Sequence, residues 1–195
     1  MLRVYFVIFL WGVPVRKGIV LIAVYMLSFV GPSTYEGEVS WVMKHSKLSK
    51  GTAQRIVYEA HKGEYPTLIL AICKVESHFD PYAVSSAGAI GLGQIMPLWI
   101  PRLKEAKIVT SRRDLFDIAT NIKATRFILR YLSEREKSLV RVLYRYYGKR
   151  DRRYVRKVLL AVGEVVYVRE GCESYRSYLA AHSYANACKL LARTD

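Results

Sequence analysis

In this chain of 195 residues, Glu76 is the residue whose surroundings could do chemistry. It follows an apolar run, Leu68, Ile69, Leu70, Ile72 and Val75, which reads as a helix opening at Pro66 and closing at Glu76 or Ser77. A carboxylate there faces the negative end of the helix dipole and loses hydration, and both effects favour its protonated form. An acid that keeps its proton near neutral pH is what cleavage of a glycosidic bond requires, because the leaving oxygen must be protonated. The plain alternative is a solvated carboxylate paired with Lys74 or His78, which does nothing catalytic.

The residues that follow decide between these readings. Glu76, Ser77, Phe79, Asp80, Pro81, Ala83, Ser85, Gly88, Ala89, Gly91, Leu92, Gln94, Ile95, Met96 and Pro97 fall at fixed spacings. The run resembles the signature of the soluble lytic transglycosylase family, E-S-x-F-[DN]-P-x-A-x-S-x-x-G-A-x-G-L-x-Q-[IL]-M-P, and fills every specified position. The resemblance covers about Thr52 to Val158 and implies a fold of the goose-type lysozyme and transglycosylase kind. It implies that Glu76 is the catalytic acid and base, that Ser85 bonds that carboxylate or a substrate oxygen, and that Gln94 and Met96 line a sugar subsite. Further on, Asn121 and Ile122 match a family N-I-x-x-G segment, with Ala124 where glycine is usual, and Asn121 joins the expected substrate-binding set. In Arg145, Tyr146, Tyr147 and Gly148 the resemblance places Tyr146 at the family tyrosine, reaching the catalytic carboxylate, while Tyr147 replaces the usual asparagine. Tyr144 and Tyr147 compete for that role, and an aromatic helix face packed into a core is the bland reading of all three.

Hydrolytic glycosidases carry a second carboxylate, about 5 Å from the first in retaining enzymes and farther in inverting ones. The candidates are Asp80, Glu105, Asp114 and Asp117, of which Asp80 precedes a proline and reads as a turn residue. A single acid suits a route in which the sugar's own C6 hydroxyl closes on C1, an intramolecular attack in which proximity is worth about 7–11 kcal/mol. The resemblance implies the same outcome: 1,6-anhydromuramyl ends on peptidoglycan glycan strands, with no metal and no organic cofactor. Three rivals stay open at this point: a lysozyme that hydrolyses the same bond, a non-catalytic wall-binding part of an envelope-spanning secretion, conjugation or phage machine, and a basic nucleic-acid-binding module.

The elements that must position these residues read as helices throughout. Ser49 caps a first helix bearing Ile56, Val57 and Ala60, with Gly63 as its stop. The glycine-rich stretch between His78 and Pro97 should wrap the end of the buried helix. Helices follow over Ala119 to Leu132, from a capping box at Ser133 and Glu136 to Gly148, over Tyr154 to Val168 and over Tyr175 to Leu191. No stretch alternates as a half-buried strand would, so the fold class is all-α. Residues 1–33 read as signal peptide or membrane anchor, 34–50 as a polar linker, 51–168 as the catalytic domain and 169–195 as a helical extension.

The leader rests on two apolar runs, Val4 to Val15 and Ile19 to Val30, split by Arg16 and Lys17. Neither alone reaches the roughly 20 residues of a spanning helix, but the positive charge before the second run and the acids after it direct the rest outward. That places the chain outside the cytoplasm, periplasmic and either free after a cut near Ser33 or held at the inner membrane. The net charge of +15 is concentrated between Arg102 and Lys157 and implies a polyanionic partner. Export and the lack of any nucleic-acid-binding motif argue against nucleic acid. Of the three cysteines, Cys73 reads as a buried small hydrophobe, and Cys172 and Cys188 either bridge or stay free.

Overall fold

The computed structural model describes residues 35–170. The expected leader or anchor, the helix from Tyr175 to Leu191 and the pairing of Cys172 with Cys188 lie outside these residues. Among the described residues the regular structure is helical: α1 (Glu36–Lys44), α2 (Lys50–His61), α3 (Pro66–Ser77), α4 (Ile100–Glu105), α5 (Ile118–Ser133), α6 (Leu139–Tyr147) and α7 (Arg152–Glu170). Short 3-10 turns occupy Pro97–Trp99 and Arg112–Phe116.

The centre of the fold is α3. Pro66 occupies its first turn, and every residue from Thr67 to Cys73 is buried, as an apolar surface on all sides demands. It packs against α7, α2 and α5. Leu68, Ile69, Leu70 and Ile72 each contribute about 1.5–3 kcal/mol relative to an exposed position. Cys73 is fully buried among them, and burial pushes its thiol well up.

The helix boundaries follow their caps. Ser49 Oγ accepts the Thr52 N–H at the start of α2, and Asp117 accepts the Thr120 N–H at 2.9 Å to open α5 while pairing with Arg55 at 2.7 Å. Gly148, in the left-handed region at φ 81°, ends α6 as expected. The capping box at Ser133 and Glu136 does not form. Ser133 is the last residue of α5 and its hydroxyl donates back to Arg130 O at 2.9 Å, while Ser138 caps α6. Glu136 instead binds Arg145 at 2.9 Å. A serine with a glutamate three positions on is a weak signal where a second serine stands closer to the next apolar run.

The linker over residues 34–50 is also corrected, because most of it is α1. Glu38, Val39, Trp41 and Val42 are buried, and the helix packs on both α2 and α7. Trp41 donates its indole N–H to Glu164 at 3.0 Å and meets the edge of Phe79 at 5.5 Å. Glu38 pairs with His61 at 2.6 Å, and Tyr35 stacks on that imidazole. Serines and lysines give the segment a polar average, but they occupy its outer face. Trp41→Ala is therefore expected to lower stability by about 3–5 kcal/mol in urea unfolding. A loss within about 0.5 kcal/mol, usual for surface positions, would show that α1 is dispensable to the fold.

Candidate active site

The chain reverses directly after Glu76. His78 and Phe79 both adopt left-handed conformations, φ 52° and 64°, and their N–H groups close the helix on Lys74 O at 3.1 Å and Cys73 O at 3.2 Å. Two such non-glycine residues are unfavourable by about 1–3 kcal/mol each. Complete burial of the Phe79 ring against Trp41 offsets this. Ser77 Oγ lies 2.8 Å from Leu92 O, tying the helix end to the loop that follows.

That loop is organised around Ile90 and Gly93. Ile90 forms antiparallel bridges with Val84 and with Ile95, so the segment wraps on itself, with Gly91 N–H donating to Ala83 O at 2.8 Å. Gly93 is held from both sides: its N–H donates to Asn121 Oδ1 at 2.9 Å, and its carbonyl accepts the Tyr146 hydroxyl at 2.7 Å. A Cβ at Gly93 would stand 2.2 Å from Thr125 Oγ1 and 2.9 Å from the Tyr146 hydroxyl, which explains the glycine there. Gly91 combines φ 71° with a Cβ position 2.3 Å from Asn121 Nδ2.

The Glu76 carboxyl is half-buried, and desolvation raises its pKa above the ordinary carboxylate value. Against this, the Tyr154 hydroxyl donates to Glu76 Oε1 at 2.7 Å and favours the charged form. Burial, then the Glu76 charge, pushes the Tyr154 phenol well up, so it remains a neutral donor. Tyr147 stacks on Tyr154 with ring centroids 4.3 Å apart and planes at 11°. Glu76 lines neither of the two cavities that run along α6.

Of the expected site residues, none is hydrogen-bonded to Glu76, and Tyr146, Asn121, Ser85 and Gln94 bond the loop instead. Tyr146 does not reach the Glu76 carboxylate; it is buried with its hydroxyl committed to Gly93 O, and Tyr154 makes the expected bond instead. Asn121 is 1 % exposed, and its amide donates to Ile90 O and Leu115 O while its carbonyl accepts Gly93 N–H. With every polar group used, it is a strut of the loop and has nothing left to bind substrate. Ser85 Oγ accepts Ala89 N–H at 3.0 Å. Gln94 donates to Ala83 O and Gly91 O, and Met96 packs against the core with part of its surface open. Tyr154 was the residue to find. It heads the stripe Tyr154, Val158, Ala161, Val162, Val165 on α7, and a tyrosine on a buried stripe needs a hydroxyl partner.

Three of the four candidate second carboxylates are engaged elsewhere, and the fourth, Glu105, is exposed at the end of α4. Asp80 accepts the Tyr82 N–H, Asp114 is held well below the usual range by bonds from Thr110 and Ser111, and Asp117 caps α5 and pairs with Arg55. Among the described residues, no group of three His, Cys, Asp or Glu could hold a metal ion.

Comparison with known proteins gives the family. Residues 55–157 match the family profile described as "Transglycosylase SLT domain". Similar curated proteins include the membrane-bound lytic murein transglycosylase C of Haemophilus influenzae, 40% identical over 85 residues, which are 42% of this chain and 22% of that protein. The protein of the same name from Mannheimia succiniciproducens is 45% identical over 62 residues, 30% of this chain and 17% of its own. That from Actinobacillus pleuropneumoniae is 63% identical over 35 residues, 18% and 10% respectively. The chain thus spans less than a quarter of the length of these relatives.

Because the Tyr154 hydroxyl stabilises ionised Glu76, Tyr154→Phe is expected to raise the Glu76 pKa further. In a pH–rate profile the limb reporting loss of the catalytic proton should move to higher pH. An unmoved limb would mean that the bond plays no part in setting the acid.

Proposed function

We propose, because the chain belongs to the transglycosylase SLT domain family, that it cuts the glycan strands of murein between N-acetylmuramic acid and N-acetylglucosamine without adding water. The observation that carries this reading is a single desolvated acid, Glu76, held by a neutral phenol. Protonated Glu76 gives its proton to the bridging oxygen, and the bond from C1 to that oxygen breaks as an oxocarbenium-like centre develops. The carboxylate left behind accepts the proton of the C6 hydroxyl, whose oxygen closes on C1 as a 1,6-anhydro ring. Glu76 ends protonated again, so no water and no second carboxylate are consumed. Tyr154 keeps one carboxylate oxygen occupied and supports the charge while the proton is away.

Ser85, Gln94 and Met96 serve this reading as the wall of the sugar site, on a loop whose backbone at Ile90 and Gly93 is held by Asn121 and Tyr146. The reaction takes place outside the cytoplasm, in the periplasm, with residues 1–33 exporting the chain or holding it at the membrane. No helix among the described residues is long and apolar enough to cross a membrane, and the relatives are membrane-bound by name. A wall-cutting component of an envelope-spanning assembly would use the same chemistry.

The test is digestion of purified sacculi followed by mass spectrometry of the products. Anhydro ends are expected; reducing ends would make the enzyme a hydrolase. Glu76→Gln should lower turnover by about 10²–10⁴-fold while glycan binding persists. Retained turnover in that variant would remove Glu76 from the mechanism.

A further inference from the structure

Tyr147 is 42% exposed, yet its ring lies against the catalytic pair, and the chemistry above leaves it without a task. It is the last residue of α6 and stands where the resemblance leads one to expect asparagine. Its ring is parallel to that of Tyr154 within 11°, with centroids 4.3 Å apart. Its hydroxyl makes no hydrogen bond among the described residues, so the contact is made by the flat of the ring.

The stack is not what closes the turn between α6 and α7. Gly148, in its left-handed conformation, donates its N–H to Tyr144 O at 3.0 Å. Asp151 accepts the N–H groups of Arg153 and Tyr154 at 2.7 and 3.4 Å and so opens α7. Val142, Leu143 and Tyr146 anchor α6 by burial. Both helix ends are fastened without Tyr147.

What the stack does fix is a ring orientation. Tyr154 bonds Glu76 Oε1 at 2.7 Å through a hydroxyl at the far end of its side chain. The ring torsion of a tyrosine is broad, and a hydrogen bond weakens steeply once it is misaligned. Core packing, which leaves Tyr154 5% exposed, sets where the ring lies, and a parallel neighbour sets its tilt. The residue before Tyr147 has a matching duty, since Tyr146 holds the loop through Gly93 O. The last turn of α6 thus meets both the loop and the phenol that serves the acid.

We propose that Tyr147 is a positioning residue for the acid: its ring clamps Tyr154 at the tilt that aims the hydroxyl at Glu76 Oε1. This rests on Glu76 as the acid of murein cleavage. An aromatic pair of this kind is worth about 2-fold to 13-fold in an equilibrium, so losing it weakens the bond without abolishing it. The titratable groups that face Glu76 are Cys73 on α3, Tyr146 on α6 and Tyr154 on α7. Burial pushes all three well up, so each stays neutral while Glu76 titrates.

Carbon-13 titration of Glu76 in the full chain reads the clamp without any cutting. Tyr147→Asn should raise the Glu76 midpoint, because a loosened hydroxyl supports the ionised form less, and Tyr147→Phe should leave it in place. In a Tyr154→Phe background Tyr147→Asn should add no further rise, since its effect passes through the lost hydroxyl. Tyr147→Leu keeps an apolar contact without a flat ring; it should move the midpoint the same way, and it decides the matter if the asparagine variant does not fold. A midpoint that stays or falls, or that rises as much without the Tyr154 hydroxyl, overturns the proposal. On sacculi, Tyr147→Asn should lower kcat by about 2-fold to 13-fold with KM unchanged. A raised KM with an unmoved titration would make the ring a substrate contact and also overturn it. If wild type does not cut sacculi while the titrations move as stated, the clamp stands and the murein-cleavage reading fails; if sacculi are cut and the titrations do not move, the clamp alone fails.

Discussion

A carboxyl group kept from water yet tied to one phenol is the constraint on which the molecule turns. Desolvation raises the pKa of Glu76, and the Tyr154 hydroxyl, donating to the carboxylate, draws it partly back. Neither alone would serve. Burial without the phenol would leave an acid too reluctant to give up its proton, and the phenol without burial would leave an ordinary ionised glutamate. The arrangement also bears on stability. A carboxyl whose folded pKa lies above its unfolded value supports the fold fully below about pH 4.3, the unfolded glutamate value, and that support is lost as pH rises through the folded pKa. The site thus gives up some stability near neutrality for the sake of its proton.

The remaining architecture can be understood as what it takes to hold that group still. Helix α3 is buried along most of its length, so its end cannot wander. Phe79, strained but wholly buried, turns the chain back at once, and Trp41 from α1 supports its ring. From the far side, Asn121 on α5 and Tyr146 on α6 grip the two backbone polar groups of Gly93. Three helices distant in sequence thereby fix one loop, and α7 delivers Tyr154 to the acid. These struts are buried hydrogen bonds, and leaving one partner unsatisfied would cost about 1–3 kcal/mol.

Much of this is legible in the sequence because it is local. The apolar run of α3, the stop at Gly148, the cap at Ser49 and the spacing of the signature all belong to short windows, and the all-α fold with Glu76 at a helix end follows from them. What escapes is long-range. Asn121 and Tyr146 carry the right residue types for a sugar site, and only the fold reveals that their polar groups are spent on Gly93. Tyr154 is separated from Glu76 by 78 residues and lies in a basic run with no motif to mark it. Helix α1 is hidden for another reason: serines and lysines around it mask four buried positions, including a glutamate paired with a histidine from the next helix. The mistaken helix start at Ser133 shows the same limit, since two serines in one polar stretch offer the same chemistry and packing chooses between them.

The protonation of Glu76 can be read directly. Carbon-13 NMR of the labelled glutamate carboxyls, with the Glu76 resonance assigned by its disappearance in Glu76→Gln, follows that group through pH. Its midpoint should lie above that of the exposed glutamates in the same spectra, with the proton retained where they have ionised. A Glu76 that titrates together with the exposed glutamates would contradict it.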